Sequence, residues 1–206
     1  MNKQFLILLL FGTFFFSCKE QKPADENKQV EKVETKTDTI ISKESVEKIT
    51  PATSHLTDEL PKWVSNSTAV QQFKSGENYK IENRLNKLFL EEDFNGDGHL
   101  DVVFPIAEVK TNKKGFAIIH GKTSEVFILG AGKLFKNALG DDQDYIDEWL
   151  INRKKENEAG AEEETGNGPE GILILENPSI EISASEVGGG QIYWNGTEYA
   201  YFHQTC

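Results

Sequence analysis

The sequence has little cysteine, and it has no apolar run long enough to cross a membrane. Its apolar run at residues 5–16 spans twelve residues, whereas a membrane-spanning helix needs about 20. Only two cysteines occur, Cys18 and Cys206. The sequence also contains neither a Gly-x-Ser-x-Gly nor a His-Glu-x-x-His motif, so the common serine-hydrolase and zinc-protease signatures are missing.

Positive charge is scarce in the larger part of the chain. Residues 57–206 hold 26 acidic side chains against 14 Lys and Arg, and the whole chain has a formal net charge of −12. A nucleic-acid partner requires the opposite sign, and an anionic lipid surface is equally disfavoured. The acidic balance favours cations, basic partners or simple solubility.

The first eighteen residues are typical of a targeting segment. Lys3 precedes the apolar run, which ends in Phe15-Phe16-Ser17-Cys18, and this order matches a secretory signal peptide. A small residue directly before a cysteine resembles the lipobox of bacterial lipoproteins, although Phe15 replaces the usual aliphatic residue. The resemblance implies cleavage before Cys18 and lipid attachment to its sulfur and new amine. The alternative is an ordinary signal peptide with a chance cysteine.

The lipobox resemblance implies a protein held in the bacterial cell envelope, in the outer membrane, through a lipid anchor at Cys18. Both orientations stay open: the domain faces either the periplasm or the cell exterior. More than one acyl chain gives stable anchoring, since each buried methylene adds about 0.8 kcal/mol. With Cys18 lipidated, Cys206 has no partner for an intrachain disulfide. We expect a monomer.

The remaining chain divides into a tether and one domain. Residues 19–56 contain no aromatic residue, with seven Lys against eight acids, and such a polar segment cannot offset its ordering entropy by burial. We therefore predict a flexible tether over 19–56. Residues 57–206 hold all three Trp and all five Tyr and are long enough for a core.

The domain is predicted to have an α+β fold, with an antiparallel β-meander sheet of six to eight strands and one or two short helices. Strands are expected near 87–93 and 100–109, and a closing hairpin is expected at 191–202 around Asn195-Gly196. The apolar spacing of residues 143–155 predicts a helix. The Glu-, Gly- and Asn-rich composition of residues 156–170 predicts a loop, and the glycines 188–190 are interpreted as loop or bulge glycines at strand ends.

The strongest local pattern is Asp93-Phe94-Asn95-Gly96-Asp97-Gly98-His99-Leu100-Asp101. Calcium takes six to eight oxygen ligands, and alternate residues of a tight loop point their side chains inward. The predicted donors are the side chains of Asp93, Asn95, Asp97 and Asp101, with the backbone carbonyl of His99. Gly98 would take the sharp turn that a Cβ hinders.

Two alternatives bear on this loop. An EF-hand requires a bidentate Glu at position 12, where this chain has Phe104, so a helix–loop–helix site is disfavoured and a loop between two strands is favoured. The other alternative is an Asn-Gly/Asp-Gly turn whose acids only accept backbone N–H groups. Mutual repulsion of three carboxylates, about 4 kcal/mol for a pair about 4 Å apart near a protein surface, favours a bound cation.

These residues resemble the calcium loop of FG-GAP/VCBS-type repeats, which joins two strands of a propeller blade in integrin α-subunit heads. The resemblance covers residues 88–105 and implies calcium bound by the same five residues. Only one copy occurs, whereas a propeller needs about four or more blades, so a propeller is not expected. The segments 116–120 and 192–196 are similar to those of small envelope lipoproteins that have a single such loop and no known activity.

The acids from Asp141 to Glu148 form a second cluster. They are either acids at a helix N-terminus, a weak cation site or the carboxylates of a hydrolase.

The main prediction for the function of the whole protein is a non-enzymatic binding or assembly module with an unidentified protein or glycan ligand. An envelope hydrolase using Asp141–Glu148 is the alternative, and a purely structural surface coat is a third class.

Overall fold

The computed structural model describes residues 53–137, 140–160 and 166–204. The predicted signal peptide with Cys18, most of the tether, and Cys206 lie outside the described residues. Helix α1 begins at Thr53, four positions before the predicted start of the domain. No helix within the described ranges is long and apolar enough to span a membrane.

The described chain has three short helices, eleven strands and one 3₁₀ turn. The helices are α1 Thr53–Glu59, α2 Lys62–Ser65 and α3 Gln71–Lys74, and the 3₁₀ turn is Pro169–Gly171. The strands are β1 Tyr79–Ile81, β2 Leu90–Glu92, β3 Asp101–Glu108, β4 Lys114–Ile119, β5 Val126–Gly130, β6 Glu148–Asn152, β7 Glu156–Asn157, β8 Leu173–Ile174, β9 Ser179–Ala184, β10 Gly188–Trp194 and β11 Tyr199–Gln204.

These strands form three antiparallel sheets. The first sheet has the order β1-β3-β4-β5, with β2 pairing the other part of β3. The second has the order β11-β10-β9-β6, and β7 and β8 form a two-stranded ribbon. The α+β class and the antiparallel pairing predicted from the sequence are confirmed, with the strands divided among three sheets.

The two large sheets pack face to face, and the helices cover the outer face of the first sheet. Val103 and Phe116 of the first sheet share a buried cluster with Ile182 and Ile192 of the second. On the opposite face, Phe104 packs with residues of the helical segment in another buried cluster. Because β3 is covered on both faces, its first seven residues are all buried, which explains its nearly continuous apolar sequence.

The predicted strand–loop–strand arrangement around residues 93–101 is confirmed. Strands β2 and β3 pair antiparallel, with Glu92 opposite Asp101, so the loop closes a hairpin. The hairpin predicted around Asn195-Gly196 is also present, since β10 and β11 pair from Gly189–Gln204 to Trp194–Tyr199.

The helix predicted over 143–155 is wrong, because residues 148–152 form strand β6, paired with β9. Trp149 is 2% exposed and Leu150 is 48% exposed, which is the alternation of a strand. The Trp149 ring stacks on Phe116 of the facing sheet with centroids 5.6 Å apart. Burial of this large ring between two sheets outweighs a local pattern that fits either period.

The glycines 188–190, interpreted from the sequence as loop or bulge glycines at strand ends, do lie at a strand end, as the first three residues of β10, and they pair with β9 and β11 and do not form a loop. A Cβ at Gly189 would lie 2.0 Å from the Ile182 carbonyl oxygen, and one at Gly190 would lie 2.2 Å from the Phe202 carbonyl oxygen. The neighbouring strands approach so closely that only glycine fits these two positions.

Candidate metal-binding loop

The loop of residues 93–100 is held at its base by a strand pair and turns at two glycines. Gly96 has φ +75° and Gly98 has φ +84°, both in the left-handed region that glycine enters without steric cost. The predicted turn at Gly98 is therefore present, and Gly96 adds a second one. The two turns let the chain curl back over its own aspartate side chains.

Asp101 is the buried anchor of the loop. Its side chain is fully buried, and its Oδ2 accepts the backbone N–H groups of Phe94 at 3.0 Å and Asn95 at 3.2 Å. Its Oδ1 accepts the N–H of Gly121 at 3.0 Å. A buried carboxylate with three N–H donors is satisfied, so Asp101 ties the start of the loop to its end and to the β4–β5 turn.

Asp93 organises the middle of the loop in the same way. Its Oδ1 accepts the N–H groups of Gly96 at 2.8 Å and Asp97 at 3.1 Å, and its Oδ2 accepts the N–H of Gly98 at 2.9 Å. Successive N–H groups directed at one carboxylate wrap the backbone around it. The conformation of the loop thus depends on the carboxyl oxygens of Asp93.

Asn95 and Asp97 complete the set of side-chain oxygens. The Asp97 N–H donates to Asn95 Oδ1 at 2.9 Å, and Asn95 Nδ2 donates to Asp97 Oδ2 at 3.3 Å. Asp97 Oδ1 accepts the N–H of His99 at 3.0 Å. Asn95 Oδ1 and Asp93 Oδ1 therefore both lie within about 3 Å of one nitrogen, the Asp97 N.

The donor chemistry of these side chains suits a hard cation such as calcium. A carboxylate offers about four lone-pair positions. Asp93 and Asp101 each accept three hydrogen bonds, so each keeps about one position for a further partner. Within the described ranges, no set of three or more His, Cys, Asp or Glu side chains is arranged to hold a metal ion. The three aspartates do not form such a set unaided; the predicted donor set adds the Asn95 amide and the His99 carbonyl.

Burial and hydrogen bonding shift two of these carboxyl groups in opposite directions. Burial raises the pKa of Asp101, and the Gly121 N–H opposes that rise without cancelling it. For Asp97, partial burial raises the pKa, but hydrogen bonds from the His99 N–H and the Asn95 amide outweigh it, so the pKa is lowered. A negative charge is therefore favoured on Asp97, at the rim of the loop, and disfavoured on Asp101, at its base.

The two acids that precede the loop have partners outside it. Glu91 Oε1 accepts a hydrogen bond from Trp63 Nε1 at 2.7 Å, and Glu92 pairs with Arg153. Neither contributes to the oxygen cluster around the loop.

An aromatic cluster lies next to the β4–β5 turn that contacts Asp101. The buried His120 has its Nε2 2.9 Å from the Tyr199 hydroxyl oxygen, and Trp194 packs 5.0 Å from the Tyr199 ring, between centroids. Burial, together with the negative charges of Asp101, Asp93 and Asp97, raises the pKa of Tyr199 well above its usual value. The negative charges of the loop therefore act on a buried residue, Tyr199, in the core beside the loop.

The acids of the second cluster, Asp141–Glu148, form hydrogen bonds with different residues and do not converge on one point. Asp141 Oδ2 accepts from Lys113 Nζ at 2.6 Å, and Asp142 Oδ1 accepts the N–H of Lys114 at 2.8 Å. Asp147 accepts the N–H of Ser185 at 3.0 Å. The interpretation as acids at a helix N-terminus is wrong, because this segment has no helix and leads into β6.

Two neighbours of the loop were not found by sequence reasoning. The Gly121 N–H reaches Asp101 from twenty positions away, and a Cβ built on Gly96 would lie 2.4 Å from the Asn177 Oδ1. Neither residue belongs to a recognisable motif, and only the packing of strands places them beside the loop.

No protein family, no curated protein and no solved structure gives a match to this chain.

Proposed function

We propose that this protein is a lipid-anchored cell-envelope protein whose domain binds one calcium ion in the loop of residues 93–101. The ion would be held by Asp93, Asn95, Asp97, Asp101 and the His99 carbonyl, and it would stabilise the β2–β3 corner. The domain would serve as a non-enzymatic binding or assembly module. The anchor at Cys18 would hold it at the outer membrane.

The observation that supports this proposal most is the fully buried carboxylate of Asp101 at the base of an acidic loop. Burial disfavours its charged form, and Asp93 and Asp97 add two further negative charges nearby. A divalent cation among these oxygens offsets both costs, whereas backbone N–H groups offset them only in part. All the predicted donors are oxygens, as calcium prefers.

The proposal is tested by titrating calcium into the chelator-treated full chain in an isothermal calorimeter, with magnesium as a parallel titrant. We expect one calcium per chain and much weaker heat with magnesium, which keeps its waters and demands a stricter geometry. Asp97→Ala should abolish the calcium heat. Asp144→Ala, an exposed acid of the second cluster, is the matched control and should bind normally. No calcium heat in the unaltered chain would contradict the proposal.

A further inference from the structure

A groove opens beside the metal-binding loop and shares a residue with it. Its volume is about 690 Å³, within the roughly 300–1,000 Å³ of small-molecule sites. Its wall includes Asn95 of the loop, Asn177 after β8, Trp194 at the end of β10 and Asn195 directly after it. With residues 166–167, which also line the groove, four separate segments meet here. The Asn177 side chain lies directly against Gly96.

Amide groups in this groove have hydrogen-bonding capacity left over. The half-buried Asn177 makes no side-chain hydrogen bond within the part of the chain that the structure describes. Asn195 Oδ1 accepts the N–H groups of Thr197 and Glu198, both at 3.0 Å, which fixes the side chain while its Nδ2 keeps its donors. An amide both donates and accepts, which matches a ligand carrying hydroxyl groups.

Aromatic surface lines the same groove. Trp194 and Tyr193 both contribute to its wall. The Trp194 ring is held in place by an edge contact to Phe127 at 5.4 Å and a tilted contact to Tyr199 at 5.0 Å, between centroids. A half-buried, immobilised aromatic ring offers an apolar surface at little entropic cost.

The groove has almost no charge, although the chain is 27% charged. Of its lining residues only Glu176 carries a charge, and that side chain is 84% exposed. An anionic ligand would find no cation in the wall, and a cationic one would find no buried carboxylate. The lining favours a neutral ligand with both hydroxyl groups and apolar faces.

We infer that this groove binds a neutral saccharide. Its hydroxyl groups would meet the amides of Asn177 and Asn195, and the C–H face of a sugar ring would pack on Trp194. The inference rests on the proposed calcium loop, because Asn95 belongs to both and an ordered loop completes the wall.

A second cleft, of about 560 Å³, lies on the outer face of the second sheet and is a weaker candidate for a ligand site. Its central amide, Gln191, is already bonded to Ser179, Glu181 and Gln204. The Gln191 amide is thus already hydrogen-bonded at both its oxygen and its nitrogen.

The inference is tested by measuring retention of the full chain, purified in detergent, on an array of immobilised neutral glycans with acidic glycans and blank spots as references. The measurement is made in calcium buffer for the unaltered chain, for Asn177→Ala and for Asn66→Ala. Asn66 is an exposed residue at the end of α2, so it controls for loss of an amide elsewhere. Calcium binding is measured separately for all three by calorimetry.

We expect retention on at least one group of neutral glycans, a tenfold or greater loss in Asn177→Ala, and no change in Asn66→Ala. Calcium binding should be the same in all three chains. Calcium binding without retention on any neutral glycan would overturn the saccharide inference and leave the proposed function standing, as would equal retention by Asn177→Ala. Loss of calcium binding in the unaltered chain would contradict the proposed function itself.

Discussion

The carboxylate of Asp101 accepts the backbone N–H of Gly121 across 3.0 Å, joining the base of the loop of residues 93–101 to the β4–β5 turn. The same carboxylate accepts two N–H groups from the start of the loop. Two turns that are twenty residues apart therefore depend on one buried charge.

Asp101→Asn should destabilise the domain by about 2–3 kcal/mol even without metal, because an amide places a donor against backbone donors and leaves buried groups unpaired. The measurement is urea unfolding in chelator. Asp97→Asn is the control, since Asp97 is half-buried and accepts a single backbone N–H, and it should cost less than about 1 kcal/mol. Equal losses in the two variants would show that Asp101 does not anchor the loop.

Gly96→Ala should destabilise the loop more than Gly98→Ala. Both positions have positive φ, which costs a non-glycine residue about 1–2 kcal/mol, but only at Gly96 would the new Cβ meet Asn177, at 2.4 Å. At Gly98 nothing lies within 4 Å of such a Cβ. The midpoints of urea unfolding in chelator measure the difference, and an equal or reversed order would contradict the packing of Asn177 against the loop.

Alkaline pH should unfold the domain through Tyr199. Its pKa is raised in the folded state by burial and by the loop carboxylates. A folded-state pKa above the unfolded value of about 10 means that the stability is present below pH 10 and is lost as pH rises above it, by up to about 1.4 kcal/mol per pH unit.

Urea midpoints in calcium-free buffer from pH 8 to 11 test this. Tyr199→Phe should be less stable at pH 8, because it loses the hydrogen bond to His120, and should fall less steeply above pH 10. Parallel curves for the two chains would refute a role for Tyr199 in the alkaline loss.

Production in a bacterial host tests the predicted anchor at Cys18. We expect a mature chain that begins at Cys18 and carries the added mass of acyl chains by mass spectrometry, and that fractionates with membranes. Cys18→Ser should remove the acyl mass and the membrane association, whereas Cys206→Ser should leave both unchanged. An unmodified Cys18 in a soluble mature chain would favour an ordinary signal peptide.

Most of the antiparallel hairpins could be predicted from sequence, because their signals are local. Asn195-Gly196 between two aromatic-rich strands determines the pairing of β10 with β11. Residues 143–155 could not be assigned this way: Tyr145, Ile146, Trp149 and Leu150 fit a helix face, and only contact with the facing sheet selects the strand. The short strand β1 has three residues, too few for a periodic signal.

The loop itself was predictable because its residue types recur at fixed spacing within nine positions. Its surroundings were not, since Gly121, Asn177 and Tyr199 reach it only through the packing of the two sheets. A carboxylate pattern indicates the ligand, whereas the partners that hold those carboxylates are set by tertiary structure.

Thermal melting of the full chain in calcium, in magnesium and in chelator tests the central claim most directly. At a calcium concentration about 100 times the Kd, binding adds about 2.7 kcal/mol, or about 5–10 °C in Tm for a domain of this size. We predict that rise in calcium only, and its loss in Asp97→Ala. Equal melting temperatures in the three buffers would contradict a calcium ion in the loop of residues 93–101.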